Sequence, residues 1–356
     1  MENDEKWFQE RATVENFQFC YPKYLQAKTA IDKKAFHKDT WNHFSNLFSS
    51  LPRYETIRIV DVGAGIGSMF LHLLEGKIFD SCPSIEYLLI DSNAENVLFG
   101  IQWLIHEVKQ RFPSYYILQD PKMEELFSTE TLSTSTAGQT PGHTVHFSRG
   151  SNAEFFSDRN WMELQLSCET QHISLKFYWD DFISFSQKAF FQRYFHVVIA
   201  AAFLDLYDRS FIVETLFKLL KNFGIFYFPI IYDAEMSFSP KYPDASTETR
   251  IIQTYHAVMN GHIESNETSG QQVVDICKER VVDIHYGDAW WNVHGEDNKT
   301  KYFLLSILNF VQESTKHLLH SPEMDSYFII RRQQLDQNVL KYSAKNVDCC
   351  GKIYFH

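Results

Sequence analysis

The chain has 356 residues, 44% of them apolar and 16% aromatic, with a formal net charge of −12. That is enough for one large domain with insertions or two modest ones, and the acidic balance, with no long basic run, argues against nucleic acid as a partner. The acidic start MENDEKWFQE fits neither a signal nor a transit peptide. The longest apolar runs, such as HVVIAAAFL, are strand-length and fall short of the ~20 residues a membrane helix needs. A cytoplasmic protein with no membrane partner is expected. The six cysteines form no CxxC pair and the fifteen histidines no HExxH site, so reduced thiols and no metal are expected.

In chain order, residues 22–50 predict one helix, with Phe36, Trp41, Phe44, Leu47 and Phe48 at helical spacing and Leu51-Pro52 as its stop. Residues 1–52 are thus expected as an N-terminal helical extension to a domain spanning 53–350. IRIVDV predicts a buried parallel strand and SMFLHLLEG a helix closed by Gly76. IEYLLIDSN predicts a second strand ending in Asp91, and AENVLFGIQWLIHEVKQRF a second helix; Asp91 could itself cap that helix. From about 119 to 172 the chain is rich in Ser, Thr, Gly and Glu, which predicts an exposed insertion. HISLKFYWDDF and FHVVIAAAFLDL predict the third and fourth strands, FIVETLFKLLKNFG a helix capped by Gly224, and IFYFPIIYDAE the fifth strand. Residues 234–330 are expected as a mainly helical, substrate-side region. It includes TETRIIQTYHAVMNGHI and YFLLSILNFVQESTKHLL, with a strand VVDIHYGDAWWNV that turns at Gly287. QNVLKYSAKNVDCCGKI supplies a last strand. The alternation predicts an α/β three-layer sandwich, a mostly parallel seven-stranded sheet with helices on both faces.

The chemistry concentrates in VDVGAGIGS. Its glycines, Gly63, Gly65 and Gly67, alternate between a strand and a helix, where an open α/β sheet binds ligands. A dinucleotide fingerprint would need its third glycine at position 68, which is Ser68. The hydrophobic–acid–hydrophobic–G-x-G-x-G pattern, with Asp61 before the glycines, resembles motif I of the class I S-adenosylmethionine-dependent methyltransferases. Residues 55–120 and 172–232 carry the resemblance. It implies a Rossmann-like fold, S-adenosyl-L-methionine as methyl donor and S-adenosyl-L-homocysteine as product. It implies Asp61, Gly63, Ala64, Gly65 and Gly67 in the donor loop, and Asp91 with Ser92 at the ribose. It also implies Asp181, or its neighbour Asp180, at the adenine amino group, with Ala200 beneath the methyl group. The fourth strand lacks the Asn/Asp-Pro-Pro-Tyr/Phe and Pro-Cys motifs of amino-group and cytosine-C5 methylases.

On the substrate side, Asp205 and His256 are candidate catalytic groups, His256 because histidine titrates near neutrality. Tyr232 and Tyr255 are candidate contacts to a small-molecule acceptor, which the acidic, aromatic-rich composition favours. A non-catalytic donor-binding protein, an NAD-dependent oxidoreductase and a protein or RNA methyltransferase stay open as alternatives. The sequence does not identify the acceptor or the oligomeric state.

Overall fold

A computed structural model describes residues 4–53, 55–118, 161–259, 269–319 and 322–355. Most of the expected 119–172 insertion lies outside these residues, as does the end of the helix expected to run through Gly261. Three helices come first: α1 (Asp4–Arg11), α2 (Tyr21–Ala35) and α3 (Lys38–Ser49). The single helix expected over 22–50 is therefore two. The break at Phe36-His37 needs no glycine or proline, because the His37 N–H donates to the buried carboxylate of Asp348 at 2.9 Å instead of to a helical carbonyl. His37 then caps α3 by accepting from the Thr40 N–H.

The alternation follows as β1 (Ile57–Val62), α4 (Ser68–Glu75), β2 (Ser84–Asp91) and α5 (Ala94–Arg111), then β3 (Tyr116–Leu118), β4 (Trp161–Ser167) and β5 (His172–Trp179). Next come α6 (Phe182–Ser186), β6 (Phe195–Ile199), α7 (Arg209–Leu219) and β7 (Leu220–Ser239). The chain ends with α8 (Ala245–Met259), α9 (Ser269–Lys278), β8 (Val281–His294), α10 (Asn298–Thr315), α11 (Pro322–Asp336) and β9 (Lys341–Ile353).

The strands form one sheet in the order β3-β4-β5-β2-β1-β6-β7-β9-β8. The run β5-β2-β1-β6-β7 is parallel throughout and has the doubly wound order, with β9 and β8 added antiparallel. The Rossmann-like α/β sandwich is thus as expected, but with nine strands among the described residues rather than seven. The surplus is β3 and β4 on the β5 edge. β4 lies inside the segment read from composition as an exposed insertion. Its Met162, Leu164 and Leu166 are buried on one face, the period-two pattern of a strand. Two smaller expectations fail. Gly224 does not cap α7, because the chain enters β7 at Leu220, which pairs with Phe195. Gly287 makes no turn, since β8 runs through it paired with Asp348 of β9.

Both sheet faces are buried, as a parallel sheet requires. Ile57 and Ile59 of β1 pack with α3, α4 and α5, whereas Val60 and Val62 face α6, α7 and α9. A third apolar cluster joins α1 and α2 to β8, α8, α10 and α11 through Phe8, Tyr24, Ile31, Ile251, Trp291, Phe303 and Tyr327. Of these, α2, β8, α8 and α10 lie across a cavity from the loop after β1 and form a cap there. No helix among the described residues is long and apolar enough to cross a membrane.

Candidate functional site

Pairing brings the acidic strand ends level. Asp61 pairs with Leu89 and Ile199, and Asp91 with Trp179, so β1, β2, β5 and β6 all end at one edge of the sheet. The chain leaves β1 through the glycine loop, where Gly63, Gly65 and Gly67 have φ of +65°, +57° and +83°. Gly67 begins α4 in the left-handed region, and a Cβ there would lie 2.7 Å from Leu104 Cδ1 and 2.9 Å from Leu89 Cδ2. The loop is also closely backed. A Cβ on Gly100 of α5 would meet the Ile66 carbonyl oxygen at 2.8 Å, so only glycine lets α5 pack backbone to backbone here.

Asp91 ties the loop to α5. Its Oδ2 accepts from the Gly65 N–H at 2.9 Å, and its Oδ1 accepts from the Asn93 N–H at 2.9 Å and Asn96 Nδ2 at 3.2 Å. Asn93, not Asp91, is the helix cap, accepting from the Glu95 and Asn96 N–H groups. Asp61 is deeper, at 1% exposure. Its Oδ2 accepts from Tyr87 Oη at 2.9 Å, and its Oδ1 has no hydrogen-bond partner among the described residues. Burial pushes the Asp61 carboxyl up to about 7.

Two cavities open on this edge. One, of about 280 Å³, is lined by Ile90, Asp91, Ser92, Asn93, Asp180, Phe182, Phe203 and neighbours. The other, of about 330 Å³, lies between the glycine loop and the cap. Asp61, Ala64, Gly65, Asp205, Tyr232, Tyr255, Trp291 and Tyr342 are among its walls. Tyr21, Gly63, Asp91 and Ala202 border both. Ala202, a non-glycine residue at φ +51°, sits where the cavities meet, the kind of backbone outlier that clusters at functional sites.

The expected residues divide accordingly. Asp61, Gly63, Ala64, Gly65, Asp91, Ser92 and Asp180 line one cavity or the other, as do Asp205, Tyr232 and Tyr255. Asp181 lines neither cavity and caps α6 by accepting from the Ser184 N–H at 3.1 Å. Ala200 is buried in the core, with Ala201 and Ala202 on the wall instead. Gly67 is a packing position. His256 lies off both cavities, with its ring centroid 6.0 Å from that of Tyr232, and burial lowers its pKa below the usual histidine range. Burial raises the carboxyl of Asp205 and pushes the Tyr255 phenol up to about 12.

Several wall residues were not singled out from the sequence: Tyr24, Lys28 and Asp32 of α2, and Tyr342 of β9. Lys28 Nζ donates to Asp32 Oδ2 at 2.5 Å, and Trp291 Nε1 donates to Asp32 Oδ1 at 3.0 Å. Lys28 and Asp32 are four residues apart, a spacing visible in AKTAID, but Trp291 comes from a strand more than 250 positions away.

Two buried carboxylates set a pH dependence. Asp348 accepts from the His37 and Ile230 N–H groups and from Tyr227 Oη, yet burial still pushes it up to about 7, like Asp61. A folded-state pKa above the unfolded value favours the folded form below the unfolded pKa, and this advantage is lost as pH rises through the folded value. Stability should therefore decline between about pH 4 and pH 7, by up to ~1.4 kcal/mol per pH unit for each group. Urea unfolding at pH 5 and pH 7 should show a smaller decline in Asp61→Asn than in the wild type. Equal declines would remove Asp61 from the account.

No protein-family model matches the chain, and no curated protein matches it. Solved structures do. The YcgJ protein of Bacillus subtilis is 11% identical, the match covering 90% of this chain and 100% of that one at a TM-score of 0.40. Geranyl diphosphate C-methyltransferase from Streptomyces coelicolor A3(2) was solved with Mg2+, geranyl diphosphate and S-adenosyl-L-homocysteine. It is 11% identical, with 89% and 79% of the two chains covered and a TM-score of 0.34. Likeness at this level says nothing about what the chain binds or does. Strand order and the geometry of the two cavities have to carry that.

Proposed function

We propose that the chain is an S-adenosylmethionine-dependent methyltransferase acting on a small molecule. The observation that carries this reading is Asp61, a buried carboxylate on the wall of the cavity above the glycine loop whose Oδ1 has no partner among the described residues. Such an oxygen calls for a donor, and the α-ammonium of an amino-acid ligand is one.

The other residues fit the same donor. Asp91 retains one of about four accepting sites beyond its three contacts among the described residues, on Oδ2, and suits a ribose hydroxyl. The smaller cavity has Asp180 for an exocyclic amine and Phe182 and Phe203 as apolar walls. Gly63, Ala64 and Gly65 offer backbone to the amino-acid portion. When bound, S-adenosylmethionine supplies a methyl group on a cationic sulfur, open to in-line attack. The chain's own contribution is then positioning, worth up to ~7–11 kcal/mol in well-oriented systems. The junction at Gly63, Asp91 and Ala202 is where donor and acceptor would meet. A volume of about 330 Å³ favours a small acceptor.

Calorimetry with S-adenosylhomocysteine tests the donor. Micromolar or tighter binding is expected, and no uptake by the wild type would sink the reading. Methyl-labelled donor incubated with a fractionated lysate tests the acceptor. Label is expected in the small-molecule fraction; label confined to macromolecules would overturn that half.

A further inference from the structure

Among the described residues, the larger cavity is lined by four acids, Asp32, Asp61, Asp91 and Asp205, and by one cation, Lys28. Lys28 is engaged by Asp32, whose second oxygen is taken by Trp291. On the reading above, Asp61 and Asp91 serve the donor. That leaves Asp205. Its Oδ1 is shielded from solvent and has no partner among the described residues, and the same is true of Tyr232 Oη. Burial is the main cause that raises the Tyr21, Tyr232 and Tyr255 phenols, and the charge of Asp205 adds to each, while Arg209 and Lys28 act on Asp205 against its own burial. Tyr24, Tyr342 and Trp291 complete an aromatic enclosure.

A carboxylate set among aromatic rings is a site for a nitrogen cation. An anionic acceptor would set a second negative charge against Asp205, with the lining lysine already committed. An alcohol or phenol could satisfy one hydrogen bond but would bring no charge. We infer that the methyl acceptor is a small nitrogen base, held with an N–H on Asp205 Oδ1 and Tyr232 Oη as its second polar contact; this rests on the methyltransferase reading.

The bound ammonium passes one proton to the Asp205 carboxylate, which lines the cavity. Burial and a neighbouring positive charge both weaken its hold on that proton. The freed nitrogen lone pair forms the N–CH3 bond as the S–CH3 bond breaks, its electron pair staying on sulfur as a thioether. The product leaves as a methylammonium, and Asp205 returns its proton to solvent.

The test is calorimetry on the full chain in two stages. S-adenosylhomocysteine is titrated first; if it does not bind, the methyltransferase reading falls and the inference falls with it. Benzylamine, benzyl alcohol and benzoate are then titrated into the S-adenosylhomocysteine complex. Benzylamine should bind at least about tenfold more tightly than benzyl alcohol, from one charge-assisted hydrogen bond and cation–π contact, and benzoate should give no heat. Asp205→Asn should bring benzylamine to within about threefold of benzyl alcohol, with S-adenosylhomocysteine affinity kept within the same factor. Tyr232→Phe, which removes only a hydroxyl, should lower benzylamine affinity several-fold and serves if Asp205→Asn does not melt cooperatively. A complex that binds S-adenosylhomocysteine but takes benzylamine no better than benzyl alcohol, or keeps its preference in Asp205→Asn, overturns the inference.

Discussion

Asp91→Ala is expected to lower S-adenosylhomocysteine affinity at least 100-fold. Two losses combine. The carboxylate is the proposed acceptor for a ribose hydroxyl, and a hydrogen bond to a charged group is worth ~1.5–3 kcal/mol. It also holds the glycine loop to α5, accepting from the Gly65 N–H on one oxygen and from Asn93 and Asn96 on the other. Without it the loop backbone loses the anchor that presents Gly63 and Gly65 to the cavity. Asp91→Asn keeps one accepting oxygen but not the charge, and should fall between alanine and the wild type. Calorimetry on variants with cooperative melting transitions checks the series. An unchanged affinity in Asp91→Ala would remove Asp91 from the donor site.

The largest stability effect is expected far from the donor loop, at Arg331 of α11. Its side chain is fully buried and paired with Glu248 of α8. It also donates to the Pro240 carbonyl at 2.5 Å and Gln334 Oε1 at 2.7 Å, and lies over the rings of Tyr327 and Phe238. Arg331→Ala leaves Glu248 as a mostly buried charge without its cation and opens a void, so a loss of about 3–5 kcal/mol is expected in urea unfolding. Arg331→Met with Glu248→Gln should recover more than half of that, because the pair is removed together. A loss below about 1 kcal/mol in Arg331→Ala would show that water reaches the pair. The effect bears on the cavity too. Tyr255 lies two helical turns beyond Glu248 on α8, so this pair holds the helix that supplies one of the aromatic walls.

The glycine-loop half of the candidate site was legible because its signals are local or follow from topology. Strand, glycine turn and helix lie within about twenty residues, and a parallel sheet with right-handed crossovers brings strand ends to one edge. Asp61, Gly63, Gly65 and Asp91 could therefore be named together. The choice between Asp180 and Asp181 could not be made that way. Adjacent residues at a strand end point in different directions, and the start of α6 claimed Asp181 as its cap. Strand β4 was missed for another reason. Its alternation in WMELQLS is plain, but the polar stretch before it suggested a loop throughout.

The sequence by itself determined the parallel core, the glycine loop and the acids at the strand ends, since each depends on neighbours along the chain or on the fixed hand of the crossovers. Only the tertiary structure decided the cap side of the larger cavity. Helical periodicity shows that α2 has a face to bury, not what that face meets. It meets β8 and α10, which brings Lys28 and Asp32 to Trp291 and encloses Asp205 among tyrosines from α2, α8, β7 and β9. His256 and Tyr255 are adjacent on α8, yet the turn of the helix places only Tyr255 on the cavity wall. Such contacts join residues far apart in the chain, and the energy that selects them is packing against surfaces that exist only once the sheet has formed.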